Sequence, residues 1–142
     1  MCNILKSIRS GGHIVLTTAV LLFAVLLVAG CNKDNNHLNL KNMTDHFVAC
    51  GLKVEQVQPV EPGIVHATSA MAVTIGGRDV GIYKYDVNLD AQKKRIVRIS
   101  DDGFIYIVGL KYPVMVNGSF VMIGAHSHPQ KTEIVKAFNS FK

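Results

Sequence analysis

Between Ile14 and Ala29 the chain carries 16 consecutive residues with nothing more polar than Thr17 and Thr18. Past Cys31 no such block recurs, and short apolar runs alternate with polar turns. Thr44 is placed to cap a short helix through Asp45, Phe47, Val48 and Cys50, stopped by Gly51 where a left-handed residue ends helices. Residues 52–60 alternate loosely and are closed by Pro59 and Pro62, the pattern of an edge strand. Residues 71–75 and 79–86 flank Gly76-Gly77-Arg78, a hairpin signal.

Asn88 then offers a helix cap. Leu89, Ile96 and Ile99 fall on one helical face and Lys94, Arg95 and Arg98 on the other. The stretch Asp101-Asp102-Gly103 ends that helix. Residues 104–108, 112–116 and 119–123 read as three strands, the last two joined by Asn117-Gly118, a strong hairpin dipeptide. Residues 127–130 have the spacing of a capping box, with Pro129 in the first turn. Ile134, Phe138 and Phe141 supply the buried face of a closing helix. Shifting residues 73–100 by 41 positions brings Val73, Gly77, Val80 and Ile82 onto Val114, Gly118, Val121 and Ile123. This echo of hairpin then helix suggests two ββα units side by side. The expected class is α+β, with a mostly antiparallel sheet of five to six strands and two to three helices.

The long apolar run is preceded by Lys6 and Arg9, a positive start followed by an apolar segment in the manner of an export signal. A membrane-spanning helix needs about 20 apolar residues to cross roughly 30 Å of hydrocarbon, and this run stops short at Gly30-Cys31. Its end, Leu27-Val28-Ala29-Gly30-Cys31, resembles the lipobox of bacterial lipoproteins. Val28 departs from the commoner Leu. The resemblance implies cleavage after Gly30, a diacylglyceryl group on Cys31 and an acylated amino terminus. It also implies a domain held outside the cytoplasm on a bacterial membrane. Asn32 after the cysteine resembles the lipoproteins sent to the outer membrane of two-membraned cells. The alternative is an uncleaved signal anchor with Cys31 as an ordinary thiol. The expected organisation is a signal peptide over residues 1–30, a lipidated Cys31 and Asn-rich polar tether over 31–43, and one domain over 44–142.

Composition then narrows the function. Of 142 residues, 15 are Lys or Arg and 10 are Asp or Glu. Because residues 1–30 contain only Lys6 and Arg9 as charged residues, cleavage lowers the net charge from +5 to +3. That is too small a charge to argue for nucleic acid as a partner. Cys2 would leave with the signal and Cys31 would carry lipid, so Cys50 has no intramolecular partner and reads as a small buried apolar residue. An oxidising compartment could otherwise pair it across a dimer.

Candidate chemistry is sparse. His126 and His128 lie two apart before the last helix, where a metal could take both rings. Zinc wants four ligands, and only distant His66 or Asp86 could be recruited by the fold. No metal and no cofactor is implied. Ser, His and Asp all occur, but no nucleophile elbow or metalloprotease signature does. Residues 104–108 and 120–123 are apolar at every position, which predicts burial on both sheet faces and, where helices fall short, a protein partner or a second copy against the sheet. Lys93, Lys94, Arg95 and Arg98 suit either solvent or the anionic headgroups of a nearby bilayer.

The segment Tyr112-Pro113-Val114-Met115-Val116-Asn117-Gly118-Ser119-Phe120 resembles the C-terminal part of thioredoxin-superfamily domains. There a proline precedes a strand, a tight turn, a second strand and a closing helix. The departure is at the redox centre, since Asp86-Val87-Asn88-Leu89 stands where a Cys-x-x-Cys would be needed. The sequence therefore points to a lipid-anchored envelope domain acting as a non-enzymatic binding or accessory module. The alternative is a small envelope redox or metal-dependent enzyme using Cys50 or the His126 and His128 pair.

Overall fold

A computed structural model describes residues 35–142. Residues 1–30, Cys31 and the expected cleavage site lie outside them. Helix α1 (Leu40–Ala49) starts at a capping box in which Asn39 and Asn42 exchange side-chain to backbone bonds of 3.0 and 2.9 Å. Thr44, the expected cap, lies inside the helix, and its hydroxyl donates back to the Leu40 carbonyl. At the other end Gly51 adopts φ +86°. Leu52 N–H then reaches Phe47 O while Gly51 N–H reaches Val48 O, which satisfies the last carbonyls.

Strands β1 (Val54–Pro59), β2 (Ser69–Ile75) and β3 (Arg78–Lys84) form a meander. Helix α2 (Asp90–Asp102) follows. A second meander comprises β4 (Phe104–Ile107), β5 (Leu110–Asn117) and β6 (Phe120–Ile123), and helix α3 (Lys131–Ser140) closes the chain. One six-stranded sheet results, in the order β1-β2-β3-β6-β5-β4, with every neighbouring pair antiparallel. The α+β class and the antiparallel sheet expected from the pattern are what the chain forms.

Alternation distributes the core. Met71, Val73, Ile75, Val80, Ile82, Phe120 and Met122 face α1 and α3. Tyr83, Tyr85, Val114 and Val121 face the other way, toward Ile96 and Ile99 of α2. The order of hairpin then helix does occur twice. Its two copies nevertheless use opposite faces: Val73, Val80 and Ile82 belong to the first layer, whereas Val114 and Val121 belong to the second and Ile123 packs against it. The two units are thus not superposable copies, because a one-step change of register turns every side chain over.

Three local expectations are corrected. Helix α2 begins from Leu89 without a side-chain cap, and Asn88 instead has its N–H bound by the Asp86 carboxylate at 3.0 Å. Before α3, residues Ala125–Ser127 form a 3₁₀ turn and the helix starts after Gln130, so residues 127–130 make no capping box. The strand over 104–108 is an edge strand ending at Ile107, with Tyr106 and Val108 exposed, while Phe120, Val121 and Met122 are buried as expected. Val108 and Gly109, both at positive φ (50° and 78°), form the turn into β5.

Candidate functional site

The expected tether is partly built into the domain. Asn35 is 1 % exposed. Its carboxamide donates to Asn117 O at 3.1 Å and accepts from Ser119 N–H at 2.8 Å and from the Ser119 hydroxyl at 3.0 Å. Asn36 follows by donating to the Asp86 carboxylate at 3.1 Å. Lys84, buried at the end of β3, donates to Asn36 O, to Asn36 Oδ1, to Tyr85 O and to the Ser119 hydroxyl, and it lies over the Phe120 ring. The Asn36 bond, before the Asn88 amide, holds the Asp86 carboxyl below its ordinary pKa. Surrounded by the Asn36 and Tyr85 oxygens and the Ser119 hydroxyl, Lys84 ties the start of the described chain to β3 and to the β5–β6 turn as a structural clamp. Pattern reading passed over Lys84. The signal was there in the spacing Val80, Ile82, Lys84, which places the lysine on an inward face.

The sequence-predicted residues are scattered. His128 is buried; its Nε2–H donates to Ile75 O at 2.8 Å and its Nδ1 accepts from Gln130 N–H at 3.0 Å. With both nitrogens engaged, the ring braces the start of α3 and has no lone pair to offer a metal. His126 is exposed. Among the described residues no group of three metal-ligating side chains is assembled.

Cys50 corrects another expectation, because it is exposed rather than buried. It closes α1, with Val48 and Ala49 before it also exposed. Its Sγ lies 3.5 Å from His46 Nε2, but that nitrogen also sits 3.0 Å from the Ala137 carbonyl, which can only accept. His46 Nε2 is therefore a donor there and cannot take the thiol proton. Pro113, which the thioredoxin-like pattern puts ahead of a strand, sits inside β5 opposite Phe104, and β3 and β4 are separated by β6 and β5.

A recess lies elsewhere, between α2, the turn Gly63–Val65 and β4. It is a cleft of about 400 Å³ lined by Ile64, Val65 and His66, by a stripe of α2 from Ala91 to Asp102, and by Phe104, Ile105 and Tyr106. The volume lies within the roughly 300–1,000 Å³ of small-ligand sites. Buried Val65, Ile99 and Ile105 give it an apolar floor. Lys94, Arg95 and Arg98 stand on the helical wall, and none of them forms an ion pair with a carboxylate among the described residues. Asp102 is the acidic member of the lining. Beneath the cleft, Tyr85 donates its hydroxyl to Val65 O at 3.1 Å, and burial pushes its pKa up to about 12. Tertiary folding brings the basic stripe of α2 against an aromatic edge, a juxtaposition that pattern reading did not foresee.

Comparison with protein-family models, with curated proteins and with solved structures produced no match. Among the described residues no helix is long and apolar enough to cross a membrane.

Proposed function

We propose that this chain is a lipid-anchored, extracytoplasmic binding module of the bacterial cell envelope, and that its ligand is an anion-bearing molecule seated between α2 and β4. The anchoring part rests on the charged start, the apolar run and Gly30-Cys31. The binding part rests on one observation: three cations without a carboxylate partner line an apolar-floored cleft. Unneutralised charge beside low-dielectric surface attracts anions more strongly than the same charge in open solvent. With a lipidated Cys31, only residues 32–34 separate the lipid from the clamped Asn35. The domain would then be held within about 14 Å of the anchor, since an extended chain spans at most ~3.5 Å per residue. An outer-membrane address, if the cell has two membranes, follows from Asn32.

Two measurements test the reading. Mass spectrometry of the protein from its host should show cleavage after Gly30 with lipid on Cys31, and Cys31→Ala should abolish both the lipid and the cleavage, leaving residues 1–30 attached. Titration of small dicarboxylates and inorganic phosphate, followed by amide chemical shifts, should perturb α2 residues 91–102, and Arg95→Glu with Arg98→Glu should remove the perturbation. Unmodified Cys31 defeats the anchor, and silence at α2 with every probe defeats the binding site.

A further inference from the structure

The cleft has a feature that a simple anion pocket does not need: one wall is the free edge of a sheet. Phe104, Ile105 and Tyr106 are consecutive, so their side chains alternate between the two faces of β4. Ile105 belongs to the layer under α2, whereas Phe104 stacks edge-on against Tyr106 and carries Lys111 over its ring at 3.7 Å. Three consecutive residues can line one cleft when the strand presents its backbone edge to it. β4 is the terminal strand of the sheet, and β5 is its single partner. Among the described residues no other backbone hydrogen bond reaches Phe104–Ile107. Phe104 and Tyr106, whose N–H and C=O groups point away from β5, are therefore unpaired within the described chain on the outer edge of β4, which is the template for strand addition.

Charge narrows the occupant. Opposite the β4 edge stand Lys94, Arg95 and Arg98 against the single carboxylate of Asp102, with His66 nearby. The rim bears exposed Ile64 and Tyr106. We infer that the anionic ligand is an extended acidic peptide segment of a partner protein, pairing backbone to backbone with β4 and placing carboxylates on α2. This deepens the anion-binding reading and rests on it. Backbone pairing supplies affinity without sequence preference, the cations select Asp and Glu, and exposed Ile64 offers contact to an apolar side chain. A proline at a pairing position is excluded because it has no N–H to give.

The test uses the full chain in detergent as bait for a displayed library of random octapeptides. Enrichment of acidic, proline-poor sequences is expected. A synthetic copy of an enriched peptide should lose at least tenfold in affinity when Arg95→Glu and Arg98→Glu are combined, both residues being exposed and compatible with folding. The amides of Phe104 and Tyr106, which point away from β5, should exchange more slowly in the complex. A copy with proline at its central position should not bind. If no peptide is enriched while phosphate or dicarboxylates still perturb α2, the peptide inference falls and the anion site stands. Failure of every probe removes both. An enriched peptide that tolerates the central proline, or leaves β4 exchange unchanged, also overturns strand addition.

Discussion

Asn35 and Ser119 are 84 residues apart in sequence, yet the Asn35 carboxamide accepts both the backbone N–H and the hydroxyl of Ser119. That pair stitches the first described residues to the turn between β5 and β6. It also couples two edges of the design: the turn that sets the β5–β6 register, and the point from which the chain runs back toward Cys31. A buried turn N–H cannot be satisfied by water, so the asparagine is part of the fold.

Asn35→Ala should destabilise the domain by about 2–3 kcal/mol, because it strands Ser119 N–H and Asn117 O in a dry site. Urea denaturation followed by circular dichroism measures this. A loss below a few tenths of a kcal/mol would show that Asn35 is a free tether after all. Asn35→Asp should be at least as damaging, since the Asn117 carbonyl would then face a carboxylate.

Val108 is 86 % exposed at φ +50° in the two-residue turn between β4 and β5. A β-branched residue pays about 1 kcal/mol to sit there, whereas asparagine tolerates the left-handed region. Val108→Asn should raise stability by about 0.5–1 kcal/mol, read as a higher urea midpoint with unchanged slope. A lower midpoint would mean that the exposed valine makes contacts that offset its strain.

Gly81 has an ordinary strand conformation, and its necessity comes from a neighbour. A Cβ there would stand 2.8 Å from Ile123 Cγ1 on β6. Gly81→Ala should cost about 1–3 kcal/mol through overpacking. Combined with Ile123→Ala, the loss should be smaller than the sum of the two single losses, as expected for side chains that compete for one space. Strict additivity would remove the explanation.

Tyr85 gives a pH dependence with a definite sign. Burial raises its pKa from 10.0 to about 12, so the folded state prefers the neutral phenol. Its contribution is complete below the unfolded value near pH 10 and declines as pH rises toward 12, by about 2 kcal/mol in total. Tyr85→Phe should flatten that part of the stability profile while costing about 1 kcal/mol at neutral pH, for the lost bond to Val65 O. An unchanged alkaline profile in the variant would assign the dependence to another group.

Local rules predicted most elements because the chain obeys them locally. Gly51 and Gly103 stop helices at positive φ, Gly76 and Gly77 turn the first hairpin, and Gly118 turns the third. Ile134, Phe138 and Phe141 are buried together as their spacing requires. The misses share a cause, which is competition between local signals and distant partners. Thr44 lost the role of cap to Asn39 because a reciprocal pair with Asn42 satisfies two donors instead of one. Cys50 is not buried because it lies with Val48 and Ala49 at the exposed end of α1. His128 reads as half of a metal pair until Ile75 O and Gln130 N–H occupy its ring.

From the sequence alone came the α+β class, the hairpins, the helix faces and the lipobox-like start, all of which depend on residues within one turn or one strand of each other. Tertiary structure alone decided which strands lie at the edges, that Asn35 and Lys84 meet at Ser119, and that the basic stripe of α2 shares one cleft with the edge strand β4. Those relationships bring together residues from separate elements, and no periodicity encodes the order in which the strands of a sheet are laid down.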